Sequence, residues 1–210
     1  MTDVECVHVD AHLVVALKPS GLLAVPGLGV GGQDCLSARV QARYPDALVV
    51  HRLDMSTSGL MLFARGVAAQ RQLNRAFAAR EVRKRYVAVV DGEPKAREGE
   101  IDLPLAADWP NRPRQKVDVV AGKPSLTRWR VQEVAATGDA SRLELEPVTG
   151  RAHQLRVHLL AVGHPILGDA LYAPPAVSAR SPRLLLHASA LWFAHPASGE
   201  ALGFEAAAPF

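Results

Sequence analysis

Short runs of Val, Leu and Ala recur along this 210-residue chain, each closed by glycine, proline or a charged turn. That pattern constrains the fold most, because short apolar runs bounded by turn residues read as strands. Residues 4–17, interrupted by Asp10-Ala11-His12, predict a β-hairpin, and residues 22–25 a further strand after the Lys18-Pro19-Ser20-Gly21 turn. Residues 27–32 hold four glycines and predict a mobile loop. A helix is expected over 36–44, stopped by Pro45. A strand starting at 48–50 is expected to run on into His51-Arg52-Leu53-Asp54, and 60–64 is the next. Ala69, Leu73 and Phe77 recur on one face of a helix ending near Arg80, which turns Arg71 and Arg75 toward solvent. Strands are expected at 86–90, 117–120, 126–134 and 143–147, with a loop at 104–116. A helix at 154–162 precedes a last hairpin of 184–193 and 201–204. Strands outnumber helices and do not alternate with them, which argues for an α+β fold with a mixed or antiparallel sheet. With no internal repeat and no linker, one domain over 1–210 is expected.

No stretch approaches the roughly 18 to 20 apolar residues of a membrane span. The start, M-T-D-V-E-C-V-H-V-D, lacks the basic and apolar regions of a signal peptide. Cys6 and Cys35 form neither a C-x-x-C nor a disulfide framework, as suits a reducing compartment. A cytoplasmic, non-membrane protein is expected. The formal charge of +3 conceals a segregation. Residues 65–85 carry Arg65, Arg71, Arg75, Arg80, Arg83, Lys84 and Arg85 against Glu81 alone. Residues 110–130 carry Arg112, Arg114, Lys116, Lys123, Arg128 and Arg130 against Asp118 alone, so the remainder is net acidic. Such segregation points to a polyanionic partner.

His8, Asp10 and His12 alternate, and His153 and His158 are spaced H-x-x-x-x-H with no Glu between them. Neither supplies three convergent ligands at a recognised spacing, so no metal is expected. No phosphate-cradling G-x-x-x-x-G-K loop and no G-x-S-x-G elbow is present. What remains is H-R-L-D at 51–54, where alternation along a strand puts Arg52 and Asp54 on one side, followed by the small turn M-S-T-S-G. Downstream, T-G-R-A-H-Q-L-R-V-H at 149–158 concentrates Arg and His. A carboxylate in the first motif and an Arg in the second can pair to keep the acid ionised, or form an ion pair of purely structural value.

K-P-S-G-L at 18–22, H-R-L-D-M-S-T-S-G at 51–59, K-R-Y-V-A-V-V at 84–90 and T-G-R-A-H-Q-L-R-V-H at 149–158 stand in the order of the RluA-type pseudouridine synthases. G-H-P-I-L-G-D at 163–169 and L-L-L-H-A at 184–188 also resemble that family, and D-W-P-N-R-P at 108–113 resembles its short RluA subgroup. The resemblance runs from about Val4 to the C-terminus. It implies a single catalytic domain with a mixed, largely antiparallel sheet, no cofactor, and uridines of transfer RNA, large-subunit ribosomal RNA or both as substrate. Many relatives carry an N-terminal S4 RNA-binding domain, for which this chain has no room, so RNA selection is expected to rest on the catalytic domain of a monomer. By resemblance Asp54 is the catalytic aspartate, Arg52 enters the RNA stack when the target base leaves, and Tyr86 stacks on that base. Arg156 pairs with the aspartate and Leu186 lines the pocket. Arg71, Arg75, Arg112, Arg114 and Lys116 are the expected RNA contacts. His51, His153 and His158 are expected to be hydrogen-bonding parts of the scaffold, and Lys18 and Pro19 to shape a loop near the site. Two rival classes stand beside this reading. A non-catalytic RNA-binding module has no need for the Asp54, Tyr86 and Arg156 set, and a hydrolytic glycosidase needs a second carboxylate that the motifs do not supply.

Overall fold

Asp10 fixes where the chain first reverses. Its Oδ1 accepts the amides of His12 at 2.7 Å and Leu13 at 2.9 Å, while Oδ2 lies 2.8 Å from His8 Nε2. Burial alone would raise this carboxyl, but hydrogen bonds from His8 and the two amides hold it down at about 2. The Asx turn joins β1 (Cys6–Val9) to β2 (Leu13–Lys18) as the expected hairpin. These contacts come from a computed structural model that describes residues 4–27 and 32–210. Most of the glycine-rich loop expected at 27–32 therefore lies outside the described residues.

The chain forms two compact units, one made of residues up to 83 with 188–209, the other of 84–187 with Phe210. In the first, strands run in the order β1, β2, β4 (Ser58–Arg65) and β11 (Leu186–Ala194). Short β3 (Ala47–Val49) pairs with the end of β4, and β12 (Ala201–Glu205) pairs antiparallel with β11. β2 and β4 are buried on both faces, which is why they read as unbroken apolar runs. On one face α2 (Gly66–Ala78) lays Ala69 and Leu73 onto Leu13, Val15, Leu60 and Leu62. On the other, α1 (Leu36–Arg43) packs Leu36 and Val40 against Val14, Met61 and Phe63. Cys35 caps α1, its Sγ accepting the Ala38 amide. Each fully buried Leu or Phe contributes about 1.5–3 kcal/mol relative to exposure.

In the second unit the order is β5 (Arg83–Asp91), β10 (Ala140–Pro147), β9 (Leu126–Val134) and β6 (Glu98–Asp102), with antiparallel pairing throughout. β10 alternates buried and half-buried residues, so Leu143 and Leu145 face α3 (Gln154–Ala161) and its Leu155 and Leu159. A small hairpin, β7 (Leu105–Ala107) with β8 (Gln115–Val117), carries a 3₁₀ turn at Trp109–Asn111. A short helix, α4 (Pro175–Ser178), follows later. The architecture is α+β.

Three local expectations are corrected. Residues 22–25 contribute a single bridge, Leu23 to Cys35, rather than a strand. Val119 and Val120 do not extend β8, because Asp118 Oδ1 accepts the amides of Val120 and Ala121 and turns the chain. Residues 104–116 are not a plain loop but the β7–β8 hairpin.

Candidate active site

The H-R-L-D segment is not the continuation of a strand. β3 stops at Val49, and residues 51–54 belong to no strand. Side-chain anchors hold them instead. His51 Nε2 accepts the Leu62 amide at 2.9 Å and its ring stacks on Phe77, with centroids 4.8 Å apart. Leu53 is buried, Arg52 exposed and Asp54 half-buried. The Thr57 amide reaches the Asp54 carbonyl at 3.1 Å and closes the turn.

The K-P-S-G loop grips this turn from outside. Lys18, only 1% exposed, donates Nζ to the carbonyls of Pro19 (2.9 Å), Leu22 (2.6 Å) and Met55 (2.8 Å). Gly21 donates its amide to the same Met55 carbonyl, and Ser20 Oγ donates to the Ser56 carbonyl. The residue after Asp54 is thus tied down by a buried ammonium and a backbone amide, the ammonium's bond being charge-assisted and roughly twice as strong as a neutral one. Gly59, at φ +119°, completes the turn, since a Cβ there would overlap the backbone of Ala188.

The second unit holds the other candidates. Tyr86 sits on β5 opposite Leu145, half-buried, and packs against the apolar cluster that contains Leu186. Beside it, burial lowers the Lys84 ammonium while Glu146 works against that fall. Arg156 lies in the first turns of α3. The helix start is fixed by Gln154, whose Oε1 accepts from Thr149 Oγ1 and the Arg151 amide while Nε2 donates to the Leu126 carbonyl and Thr127 Oγ1. His153 takes the left-handed conformation just before it and holds the Tyr172 hydroxyl at 2.6 Å. His158 spans Thr127 Oγ1 and the Leu103 carbonyl, and burial lowers its pKa despite the carbonyl bond.

Arg156 Nε and Nη2 clasp Asp169 at 2.8 and 2.6 Å, a bidentate pair whose side chains are 6% and 1% exposed. Asp169 Oδ1 also accepts the amides of Leu171 and Tyr172, and the Tyr172 ring lies 4.9 Å from the Arg156 guanidinium. Asp169 is the partner of Arg156 that sequence reasoning missed. Its motif, G-H-P-I-L-G-D, was visible, but the pairing depends on a turn at Gly168 (φ +73°) packed against the Arg183 carbonyl.

The basic segments divide in use. Arg71 and Arg75 are exposed on α2. Arg112 stacks on Trp109 at 3.7 Å, Arg114 lies over Tyr172, and Lys116 is 3.4 Å from Asp118. Arg65, Arg128 and Arg130 are matched by Asp46, Glu100 and Glu144, so part of the segregated charge is neutralised.

A family model described as RNA pseudouridylate synthase matches residues 12–161. Over 201 residues the chain is 54% identical to the dual-specificity RNA pseudouridine synthase RluA of Escherichia coli, covering 96% of this chain and 91% of that one. A relative of the same name from Pasteurella multocida is 50% identical over 206 residues, covering 98% and 94%. The solved structure of human RNA pseudouridylate synthase domain containing 1 matches with a TM-score of 0.82 at 29% identity, covering 99% of this chain and 84% of that one. With the family's matching region spanning most of the chain and near full-length identity above half, the chain belongs to the RNA pseudouridylate synthases, isomerases that convert uridine in RNA to pseudouridine.

Proposed function

We propose that this enzyme acts in the cytoplasm as a monomer on uridines of both transfer RNA and large-subunit ribosomal RNA, with Asp54 as its catalytic carboxylate. The dual target is supported by the similarity to relatives named dual-specificity synthases. Among the described residues no helix is long and apolar enough to cross a membrane. One observation carries the assignment of Asp54: its turn is clamped through the Met55 carbonyl by Lys18 and Gly21.

The reaction breaks C1′–N1 and forms C1′–C5 in the same nucleotide. The uracil leaves with the bond's electron pair, turns, and attacks C1′ through C5. The C5 proton is then lost and N1 gains one. A charged carboxylate can assist by attacking C1′ and leaving again, or by taking a proton from C2′ and returning it. Water is excluded rather than recruited, so one acid suffices where hydrolysis uses two. Tyr86 stacks on the displaced base and takes the C5 proton, Leu186 walls the pocket, and Arg52, exposed in the H-R-L-D segment, fills the gap left in the RNA stack. Arg156, held through its fork by Asp169, supplies a fixed positive charge for the reaction.

The test is tritium release from C5-labelled uridine in transfer and ribosomal RNA transcripts, beside filter binding. Asp54→Asn keeps shape but lacks the charge, so it should bind RNA within a few-fold of wild type and release no tritium. An Asn variant as active as wild type would remove Asp54 from the mechanism. Wild-type binding with no release from any RNA would favour a non-catalytic binding module.

A further inference from the structure

Trp109 is the one aromatic among the large hydrophobic side chains that the described residues leave exposed, at 67%. A lone exposed apolar residue needs no explanation by itself. Its setting does. The loop that carries it is closed by its own backbone, with Asn111 N to the Asp108 carbonyl at 3.0 Å, Arg114 N to the Asn111 carbonyl at 3.0 Å and Asp108 N to the Arg114 carbonyl at 2.9 Å. Asn111 Nδ2 also donates to Asp108 Oδ2, and the stem below is anchored where Gln115 N donates to the Tyr172 hydroxyl. The indole is therefore presented on a fixed platform.

Its chemistry is equally specific. The Arg112 guanidinium lies 3.7 Å from the ring centroid and covers one face. Arg114 and Lys116 follow along the same hairpin, and the loop's acid, Asp108, is engaged with Asn111. An apolar protein surface would find few apolar neighbours here. A nucleotide finds both a flat ring for its base and cations for its phosphate.

We propose that Trp109 is a stacking site for an unpaired nucleobase of the RNA substrate, with the base on the open indole face and the adjoining phosphate on Arg112. This base is not the isomerised uracil, whose partner is Tyr86. The site rests on the reading of the chain as an RNA-modifying enzyme. Bases within a duplex already stack on each other, so the site selects loop over paired RNA.

The experiment measures equilibrium binding of the full chain to a stem-loop transcript carrying a modified uridine and to a perfectly paired duplex of equal length. Trp109→Ala should weaken stem-loop binding by about 5- to 150-fold. Duplex binding and the dependence of stem-loop affinity on salt should stay as in wild type, because no charge is removed. Trp109→Phe should recover most of the loss, since it keeps a ring to stack on. Arg112→Ala, in contrast, should lower the salt slope by about 0.7 to 0.9. Wild-type stem-loop affinity in Trp109→Ala, an equal loss on both RNAs, or a Phe variant no better than Ala would each overturn the site. So would a dimer in solution that Trp109→Ala dissociates, which would assign the indole to a second copy of the chain. Failure of the wild type to bind either RNA would overturn the RNA reading itself, and this site with it.

Discussion

A guanidinium buried as deeply as that of Arg156 must have its charge matched nearby, and Asp169 matches it with both oxygens. Removing one partner of such a pair leaves an uncompensated buried charge, at a cost of about 3–5 kcal/mol. Asp169→Asn should therefore lower the urea midpoint markedly. Arg156→Lys retains the charge but lacks the planar fork, so it cannot hold both oxygens of Asp169. It should remain folded while turnover falls sharply, with RNA affinity little changed. Near-normal turnover by the Lys variant would refute the idea that the fork positions Arg156 for the reaction. At this scale the sequence was most legible where a motif is contiguous: H-R-L-D and T-S-G name their residues directly. The Arg156–Asp169 pair was not legible, because thirteen residues and a glycine turn separate its halves and no spacing rule links them. The same holds for Lys18, whose reach to the Met55 carbonyl spans 37 residues.

Elements were legible where local pattern and burial agree. β9 runs over Leu126–Val134, as its Val-, Leu- and Trp-bearing run predicts, and α2 keeps Ala69 and Leu73 inward as its helical spacing requires. They were hidden where tertiary pairing overrides pattern. β6, E-G-E-I-D, has no strand-like periodicity and exists because it pairs with β9, whose Trp129 ring fills the space beside Gly99. Val119 and Val120 have strand propensity but yield to the Asp118 turn. α3 adds a pH-dependent element. His158 is buried between Thr127 and Leu103, and burial lowers its pKa below the usual 6.5. In that interval the unfolded chain binds a proton that the folded chain refuses, so stability rises with pH. The contribution is complete above about 6.5, the ordinary histidine value, and is lost as pH falls below it. Melting temperature followed from pH 7 to pH 5 should fall in the wild type and fall less steeply in His158→Gln. Parallel profiles would show that His158 is not the group responsible.

Over the whole molecule, the sequence shows where positive charge is concentrated but not where it is free to act. Glu100, Glu144 and Asp46 are remote in sequence from the arginines they neutralise, and only the pairing of β9 with β6 and β10, or the packing at the end of β4, brings them together. This sorts the basic residues by what they can offer a polyanion. Each phosphate neutralised adds about 0.7 to 0.9 to the slope of log affinity against log salt, through release of counterions. A cation already paired with a carboxylate releases fewer, because its charge is locally compensated before RNA arrives. Replacing Arg71, Arg75 and Arg112 together with Ala should therefore flatten the slope by about two units or slightly more. Replacing Arg128 and Arg130 should barely alter it, although both lie in the same basic stretch of sequence as Arg112. Filter binding of one transfer RNA transcript across a salt series, with the two variants beside wild type, measures both slopes. An unchanged slope in the triple variant would move the RNA surface elsewhere. A comparable loss in the Arg128 and Arg130 variant would mean that the pairs with Glu100 and Glu144 open when RNA binds, and that the charge read from sequence acts in full.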